Sequence, residues 1–252
     1  HKVTVKVTDS GHPAMSIVKN FSISVTDMND KPYSISFSSK NGPASFPVDH
    51  PELPENSKIG TVVGTIQGTD LDANPQKLTI SLDNNAGNRF AVSSTSCTFT
   101  SSSTCTAMVT VSGSLDHEDS YQHQVVVRLT DPGGLFKVKK FTVKILDVND
   151  PPTDIVLSND DIAENKAKSL VGVLTAKDPD LGQTYTYTLV NNAGGKFMIS
   201  GNELRTTGAL DYEASPSLTI RVRVTDSGSP ALSYEKNFVI TVIDVNETPT
   251  RV

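Results

Sequence analysis

The sequence predicts an all-β protein built from antiparallel sandwich domains. Runs such as VTVKV, VVVRL, FTVKI, TIRVRV and FVITVI alternate apolar and polar residues and are rich in β-branched side chains, as half-buried strands are. Turn clusters, among them DSG, DPGG, DPDLG and NNAGG, separate these runs. No segment combines a helical period with capping residues. Many short strands with turns between them favour sandwiches.

Length and charge narrow the classes of protein further. The 252 residues are enough for two average domains with some chain to spare. A net charge of -6 and the lack of a basic run argue against a nucleic-acid binder. The sequence contains no apolar stretch of about 18 residues, so it predicts no transmembrane helix. No signal peptide opens the chain, so a secreted protein would be a mature fragment here.

One pair of strands recurs three times along the chain. The motif DVND at 147–150 has relatives at 27–30 and 244–247, and in each case a Phe lies six positions before the first Asp. Alternate residues from that Phe onward can face one core. One strand earlier, VKVTDSG, VRLTDPG and VRVTDSG match and carry Asp9, Asp131 and Asp226. The chain is therefore a series of repeats.

Three more acidic motifs occur in the same order in the two longer repeats. They are LPEN and IAEN, GTDLD and AKDPD, and LDHE and LDYE, with 15 residues from each LDxE to the next TDxG. The repeat periods of 120 and 97 residues differ because the longer copy has an extended opening and an insertion around Cys97 to Cys105. Loops accommodate such differences in length with only a small loss of stability.

These motifs resemble those of extracellular cadherin repeats. PEN, DxD, LDxE, TDxG and DxNDxP in that order form a specific set, and the resemblance covers essentially the whole chain. It divides the chain into the C-terminal part of one repeat (1–32), a full repeat with an inserted hairpin (33–152) and a second full repeat (153–252). It implies tandem seven-stranded Greek-key (immunoglobulin-like) sandwiches joined end to end through calcium sites. It also implies an extracellular location, in the cell-surface ectodomain of a longer membrane or secreted protein.

The resemblance implies a full set of Ca²⁺ ligands at the junction of the two full repeats. The implied ligands are Glu55, Asp116, Glu118, Asp147, Asn149, Asp150, Asp178, Asp180 and Asp226, with the backbone carbonyls of Val148 and Pro151. Ca²⁺ takes six to eight oxygens, so eight carboxylates and one amide suffice for about three ions. Two like charges about 5 Å apart repel by roughly 1 kcal/mol in water and about 3 kcal/mol at a dielectric near 20. We therefore expect Ca²⁺ to convert a flexible chain into a stiff rod, at the roughly 10⁻⁴–10⁻³ M typical of extracellular modules.

The other two junctions have incomplete sets, and we expect fewer ions there. The first set is Asn29, Asp30, Lys31, Asp70, Asp72 and Asp131, together with Asp27. The last set is Glu164, Asp211, Glu213, Asp244, Asn246 and Glu247. Glu247 stands where the family has Asp, so its longer side chain predicts an altered or weaker site.

Three local features carry predictions of their own. The strands within 1–32 are marginal alone in water, so either the chain belongs to a longer array, which we favour, or they borrow a sheet from another copy. CTFTSSSTC predicts a hairpin closed by a Cys97–Cys105 disulfide; two buried thiols are the alternative, and a zinc site lacks a second ligand pair. Asn20-Phe-Ser is an N-glycosylation sequon at a strand position that can face outward.

The resemblance favours a calcium-dependent adhesion or interaction module whose partners are other cadherin-like chains or neighbouring repeats. A structural spacer or stalk is the alternative, and a module attached to a surface enzyme or carbohydrate binder is a third. No Trp is present, so adhesion by exchange of a Trp-bearing strand is not supported. No nucleophile–base pair or cofactor loop indicates an enzyme. We expect neither a nucleic-acid partner nor a small-molecule substrate.

Overall fold

A computed structural model describes residues 1–39, 50–72 and 76–248 of the chain. These residues form nineteen β-strands, and none of them forms a helix long and apolar enough to cross a membrane. The strands are β1 (Lys2–Thr8), β2 (Ser16–Ser22), β3 (Ser34–Ser39), β4 (Glu52–Pro54), β5 (Val62–Asp70), β6 (Thr79–Asn84), β7 (Phe90–Val92), β8 (Ser96–Phe99), β9 (Ser103–Val111), β10 (Gln122–Thr130), β11 (Phe136–Leu146), β12 (Asp154–Leu157), β13 (Asp161–Ala163), β14 (Leu170–Lys177), β15 (Thr186–Asn191), β16 (Phe197–Ser200), β17 (Glu203–Thr206), β18 (Ser217–Thr225) and β19 (Ser233–Ile243).

The chain divides into two compact units, His1–Leu146 and Asp147–Val252. The first unit contains a sandwich of two sheets, with strand orders β3-β5-β9-β7 and β4-β11-β10-β6. Its first strand is split, because β3 pairs antiparallel with β5 in one sheet whereas β4 pairs parallel with β11 in the other. Phe37 of β3 stacks on Phe141 of β11 with ring centroids 4.2 Å apart, which joins the two sheets through the core.

The second unit repeats this arrangement. Its sheets have the orders β12-β14-β17-β16 and β13-β19-β18-β15, and β13 pairs parallel with β19 as β4 does with β11. The core consists of alternate strand residues that are almost completely buried, including Leu174, Phe197, Leu204, Ile220 and Ile240. Both sandwiches therefore have seven strand positions, with the first position shared between the sheets. The predicted all-β Greek-key fold class is confirmed.

The strands β1 and β2 form a separate two-stranded antiparallel ribbon within the first unit. Val5 and Phe21 of this ribbon are 44% and 45% exposed, whereas Val127 and Phe141, at the matching motif positions, are 1% and 3% exposed. Among the described residues, no second sheet covers this apolar face.

The insertion in the first unit forms the hairpin β8–β9, attached to the edge of one sheet. Cys97 pairs with Cys105 in register, and their sulfurs form a disulfide. The predicted local disulfide is present. The extended opening of this repeat falls largely at 40–49, outside the described residues.

Candidate metal centre

Acidic side chains gather where strands end in the first unit, and we call this group the Asn29 cluster (Asp27, Asn29, Asp30, Asp70, Asp72 and Asp131). β5 ends at Asp70, whose Oδ1 accepts the N–H of Asp72 at 3.2 Å. Asp72 in turn accepts the N–H of Asp30 at 3.2 Å. Asn29 donates from Nδ2 to Asp131 Oδ2 at 3.0 Å. Predicted ligands from three separate motifs are therefore connected by hydrogen bonds.

The second unit contains an equivalent group, the Asn149 cluster (Asp147, Asn149, Asp150, Asp178, Asp180 and Asp226). Asp178 Oδ1 accepts the N–H of Asp180 at 3.0 Å, and Asp180 Oδ2 accepts the N–H of Asp150 at 2.9 Å. Asn149 donates from Nδ2 to Asp226 Oδ2 at 3.2 Å. The same three connections occur in both clusters, although each is built from its own unit alone.

The aspartate of TDxG links each cluster to a strand connection. Asp226 Oδ1 accepts the N–H groups of Gly228 and Leu232 at 3.0 and 2.9 Å, which fixes the turn between β18 and β19. Asp131 Oδ1 accepts the N–H of Leu135 at 2.9 Å in the corresponding turn of the first unit. One carboxylate oxygen thus holds the turn, and the other oxygen faces the cluster.

Several carboxylate oxygens in the clusters are buried without a hydrogen-bond partner. They are Oδ2 of Asp70, Oδ2 of Asp178 and Oδ1 of Asp180. Burial raises the pKa of Asp70, and the charges of Asp72 and Asp131 raise it further. Burial likewise raises the pKa of Asp178, with added repulsion from Asp180, Asp226 and Asp150. A buried acceptor without a donor lowers the stability of the folded state. A cation beside these oxygens would remove that free-energy penalty.

A second kind of acidic group lies near the other end of each repeat. Glu164 is 1% exposed, and its two oxygens accept the N–H groups of Tyr212 at 2.8 Å and Val245 at 3.0 Å. Carboxylate oxygens of Glu164, Asp211 and Glu213 lie within 4.8 Å of one another. In the first unit, Glu55 is 2% exposed and accepts the N–H of His117 at 2.6 Å. The Glu of PEN thus binds the backbone of LDxE in both repeats.

The last linker completes an open acidic cleft in the second unit. The cleft has a volume of about 840 Å³ and is lined by Asn165, Asp211, Glu213, Asp244, Asn246, Glu247 and Thr248. Asn165 donates a short hydrogen bond from Nδ2 to Glu247. The longer side chain of Glu247 therefore reaches back to the Asn of IAEN.

The remaining predicted residues have simpler surroundings. Lys31 lines a cleft of about 160 Å³ with Asp27, Asp30, Asp70 and Asp72. Asp116 and Glu118 are exposed; Asp116 Oδ1 accepts the N–H of Asp119, and Glu118 contacts the His117 ring. Val148 and Pro151 are exposed in the linker, and Asn20 is exposed on β2.

Sequence reasoning missed several residues that shape the clusters. A Cβ atom at Gly228 would lie 1.6 Å from Asn149 Oδ1, so this glycine gives the Asn side chain its space. Gln76 and Gln183 donate hydrogen bonds into the two clusters. Asn56 and Asn165 of the PEN motifs have φ of 56° and 65°, a left-handed conformation for which Asn is enriched. The sequence motifs include this Gly and these Asn residues, but the sequence alone does not show the steric reason for them.

The donor set fits a hard divalent cation. The facing groups are carboxylate and amide oxygens, which Ca²⁺ prefers, and the described residues of the clusters include no His or Cys ligand pair. The oxygens without partners supply the acceptors that such an ion would use.

Comparisons with known proteins agree with the motif resemblance. The family profile "Cadherin domain" matches residues 159–243. The chain is 29% identical over 262 aligned positions to protocadherin gamma-A12 of Homo sapiens, covering 99% of this chain and 26% of that protein. It is 36% identical over 155 positions to protocadherin Fat 2 of Mus musculus, covering 57% of this chain and 4% of that protein. The chain thus spans about a quarter or less of these relatives.

Solved structures show the same architecture. The protocadherin GammaB4 extracellular domain matches with a TM-score of 0.59 at 28% identity, over 97% of this chain and 37% of that one. Mouse cadherin-23 EC22–24 matches with a TM-score of 0.64 at 23% identity, over 97% of this chain and 74% of that one, and supports the fold.

Proposed function

We propose a calcium-dependent function from the premise that this chain belongs to the cadherin repeat superfamily. Repeats of this family bind Ca²⁺. One observation assigns this function to particular residues. The same cluster of carboxylate and amide oxygens occurs in both units, and in each a buried carboxylate oxygen has no hydrogen-bond partner. We infer that Ca²⁺ supplies the missing interaction at the Asn29 and Asn149 clusters.

In this proposal Asp70, Asp72, Asp131, Asn29 and Asp30 hold Ca²⁺ in the first unit, with the carbonyl of Lys31. Their equivalents in the second unit are Asp178, Asp180, Asp226, Asn149 and Asp150, with the carbonyl of Pro151. The ion supplies positive charge against crowded carboxylates whose mutual repulsion contributes to the raised pKa values of Asp70 and Asp178.

Calcium titration calorimetry tests these ligands directly. We expect Asp70→Asn and Asp178→Asn each to weaken binding at one cluster by about tenfold or more, because each removes a charged oxygen. Asp160→Asn is the matched control, since Asp160 is exposed and belongs to neither cluster. Equal binding by the wild type and both cluster variants would refute the assignment.

The motif series supports a wider proposal for the linker 147–150. We propose that Glu55, Asp116 and Glu118 act with the Asn149 cluster to hold about three Ca²⁺ ions, with the carbonyl of Val148, and so stiffen the chain. The set Glu164, Asp211, Glu213, Asp244, Asn246 and Glu247 would hold fewer. Small-angle scattering with and without chelator measures the stiffening, and an unchanged radius of gyration would contradict it.

We further propose that the chain is a cell-surface segment that mediates calcium-dependent adhesion between cadherin-like chains, and that it catalyses no reaction. Membership of an adhesion family supports this, as do relatives described as extracellular domains. Beads coated with the protein should aggregate in Ca²⁺ and disperse in chelator. Binding of Ca²⁺ without aggregation would instead indicate a spacer.

We also propose that Asn20 carries an N-glycan. It is exposed on β2, where its side-chain oxygen accepts a hydrogen bond from Thr4 Oγ1 at 2.7 Å. Protein secreted from animal cells should lose mass on treatment with an N-glycosidase, whereas Asn20→Gln should not.

A further inference from the structure

Two glutamines make the same pair of hydrogen bonds in the two clusters. Gln183 donates from Nε2 to Asn149 Oδ1 at 2.6 Å and to Asp180 Oδ2 at 3.0 Å. Gln76 donates from Nε2 to Asn29 Oδ1 at 2.9 Å and to Asp72 Oδ2 at 2.9 Å. All four acceptors belong to residues that the proposed function assigns to Ca²⁺.

The neighbours determine which end of the amide faces each cluster. Asn149 uses its own Nδ2 to donate to Asp226 and to the carbonyl of Pro230, which leaves its Oδ1 toward Gln183. Asp180 Oδ2 accepts the N–H of Asp150 as well as the bond from Gln183, so it faces the glutamine as an acceptor. Two acceptors therefore require a donor between them, and the amide nitrogen supplies it. The other end, Gln183 Oε1, is buried without a hydrogen-bond partner.

The two glutamines make the same hydrogen bonds although they stand at different distances along the sequence from the aspartate that they contact. Gln76 lies four residues after Asp72, whereas Gln183 lies three residues after Asp180. The backbone N–H of Gln76 donates to Ser103 Oγ at 2.7 Å, and that of Thr184, next to Gln183, donates to Ser227 Oγ at 3.0 Å. In both units a Ser hydroxyl thus fixes the backbone beside the glutamine.

We propose that Gln76 and Gln183 are built-in competitors of the cation, an inference that rests on the proposed calcium function. A cation and an N–H donor use the same lone pairs of the Asn and Asp oxygens, so they compete for these acceptors. The amide therefore links the ligands together while the ion is absent. Ca²⁺ gains access only after both hydrogen bonds break, which lowers the affinity of each cluster.

The test compares the full 252-residue chain with the double variant Gln76→Leu/Gln183→Leu. Leu is similar in size but has no donor. We expect calorimetry to show Ca²⁺ binding tightened by about fivefold to 150-fold, the range expected for losing two competing hydrogen bonds of ordinary net strength. In chelator we expect the variant to unfold at a lower temperature than the wild type. Each single variant should show the change at one cluster. Gln124→Leu, on the exposed face of β10, is the matched control.

The outcomes separate this inference from the proposed function. A wild-type chain that binds no Ca²⁺ would overturn both. A wild type that binds, with variants that bind equally well or more weakly, would overturn only the competition, and weaker binding would indicate that the amide oxygen turns to become a ligand. Tighter binding together with lower metal-free stability would support it.

Discussion

Replacing Gly228 by Ala tests whether the position of Asn149 governs the cluster of the second unit. The new Cβ would lie 1.6 Å from Oδ1 and 2.0 Å from Cγ of Asn149. Non-bonded Cβ contacts essentially never fall below 3.0 Å, so the side chain must move by at least the difference of 1.4 Å. It cannot do so and keep its present hydrogen bonds.

The cost follows from the bonds that depend on this side chain. Asn149 donates to Asp226 at 3.2 Å and to the Pro230 carbonyl at 3.0 Å, and accepts from Gln183 at 2.6 Å. At about 0.5–1.5 kcal/mol for each hydrogen bond, their loss costs about 2–4 kcal/mol. For a domain of about 100 residues this lowers the melting temperature by roughly 10–20 °C. Calcium binding at this cluster should weaken as well, since Asn149 is a proposed ligand.

Two other glycines provide graded controls. At Gly133 a Cβ would meet Asn29 Nδ2 at 2.8 Å, so Gly133→Ala needs a shift of only a few tenths of an ångström. At Gly208 nothing lies within 4 Å. Calorimetric melting in chelator, with hydrogen exchange to assign the affected unit, should give a large loss for Gly228→Ala, a small one for Gly133→Ala and none for Gly208→Ala. Equal melting temperatures for all three would refute the steric reasoning.

Further predictions concern single groups. Glu164→Gln should lower the free energy of unfolding in chelator by about 1–3 kcal/mol, because one backbone N–H would then face an amide NH₂. Its matched control is the exposed Glu213→Gln, which should weaken Ca²⁺ binding without changing the melting temperature in chelator. Calcium affinity should fall as the pH is lowered, and the fall should begin at a higher pH than ordinary carboxyls would give, since the raised pKa values of Asp70 and Asp178 let protons compete with the ion; calorimetry showing an affinity that does not change with pH would contradict this. Reducing the disulfide Cys97–Cys105 should lower stability by at most about 2–3 kcal/mol, measured by denaturant unfolding, because the loop that it closes is short.

The strand alternation predicted the core of the repeated strand pair. Phe141, Val143 and Ile145 were expected to share one inward face, and they are 3%, 0% and 1% exposed. The split of the first strand between two sheets was not readable from the sequence. β4 and β13 have only three residues each, and their partners β11 and β19 lie far away along the chain.

The acidic motifs predicted sets of residues at the junctions between repeats, but not the hydrogen bonds that connect residues within one unit. Asp178 and Asp226 each directly follow a strand, and hydrogen bonds connect Asp178 to Asp180 and Asp226 to Asn149. The contribution of Gln183 depends on two oxygens that meet only in the folded chain. A glutamine in a turn carries no signal of such a role.

The parallel pairing of β13 with β19 has a mechanical consequence. These strands lie near the beginning and the end of the second unit and run in the same direction. A pulling force applied to the two ends of the unit slides one strand along the other, so the hydrogen bonds between them are loaded together and not broken one after another. The three residue pairs joined here, beginning with Asp161 and Thr241, are therefore loaded in shear when the force reaches β13 and β19. Such a unit resists tension better than one whose terminal strands peel apart.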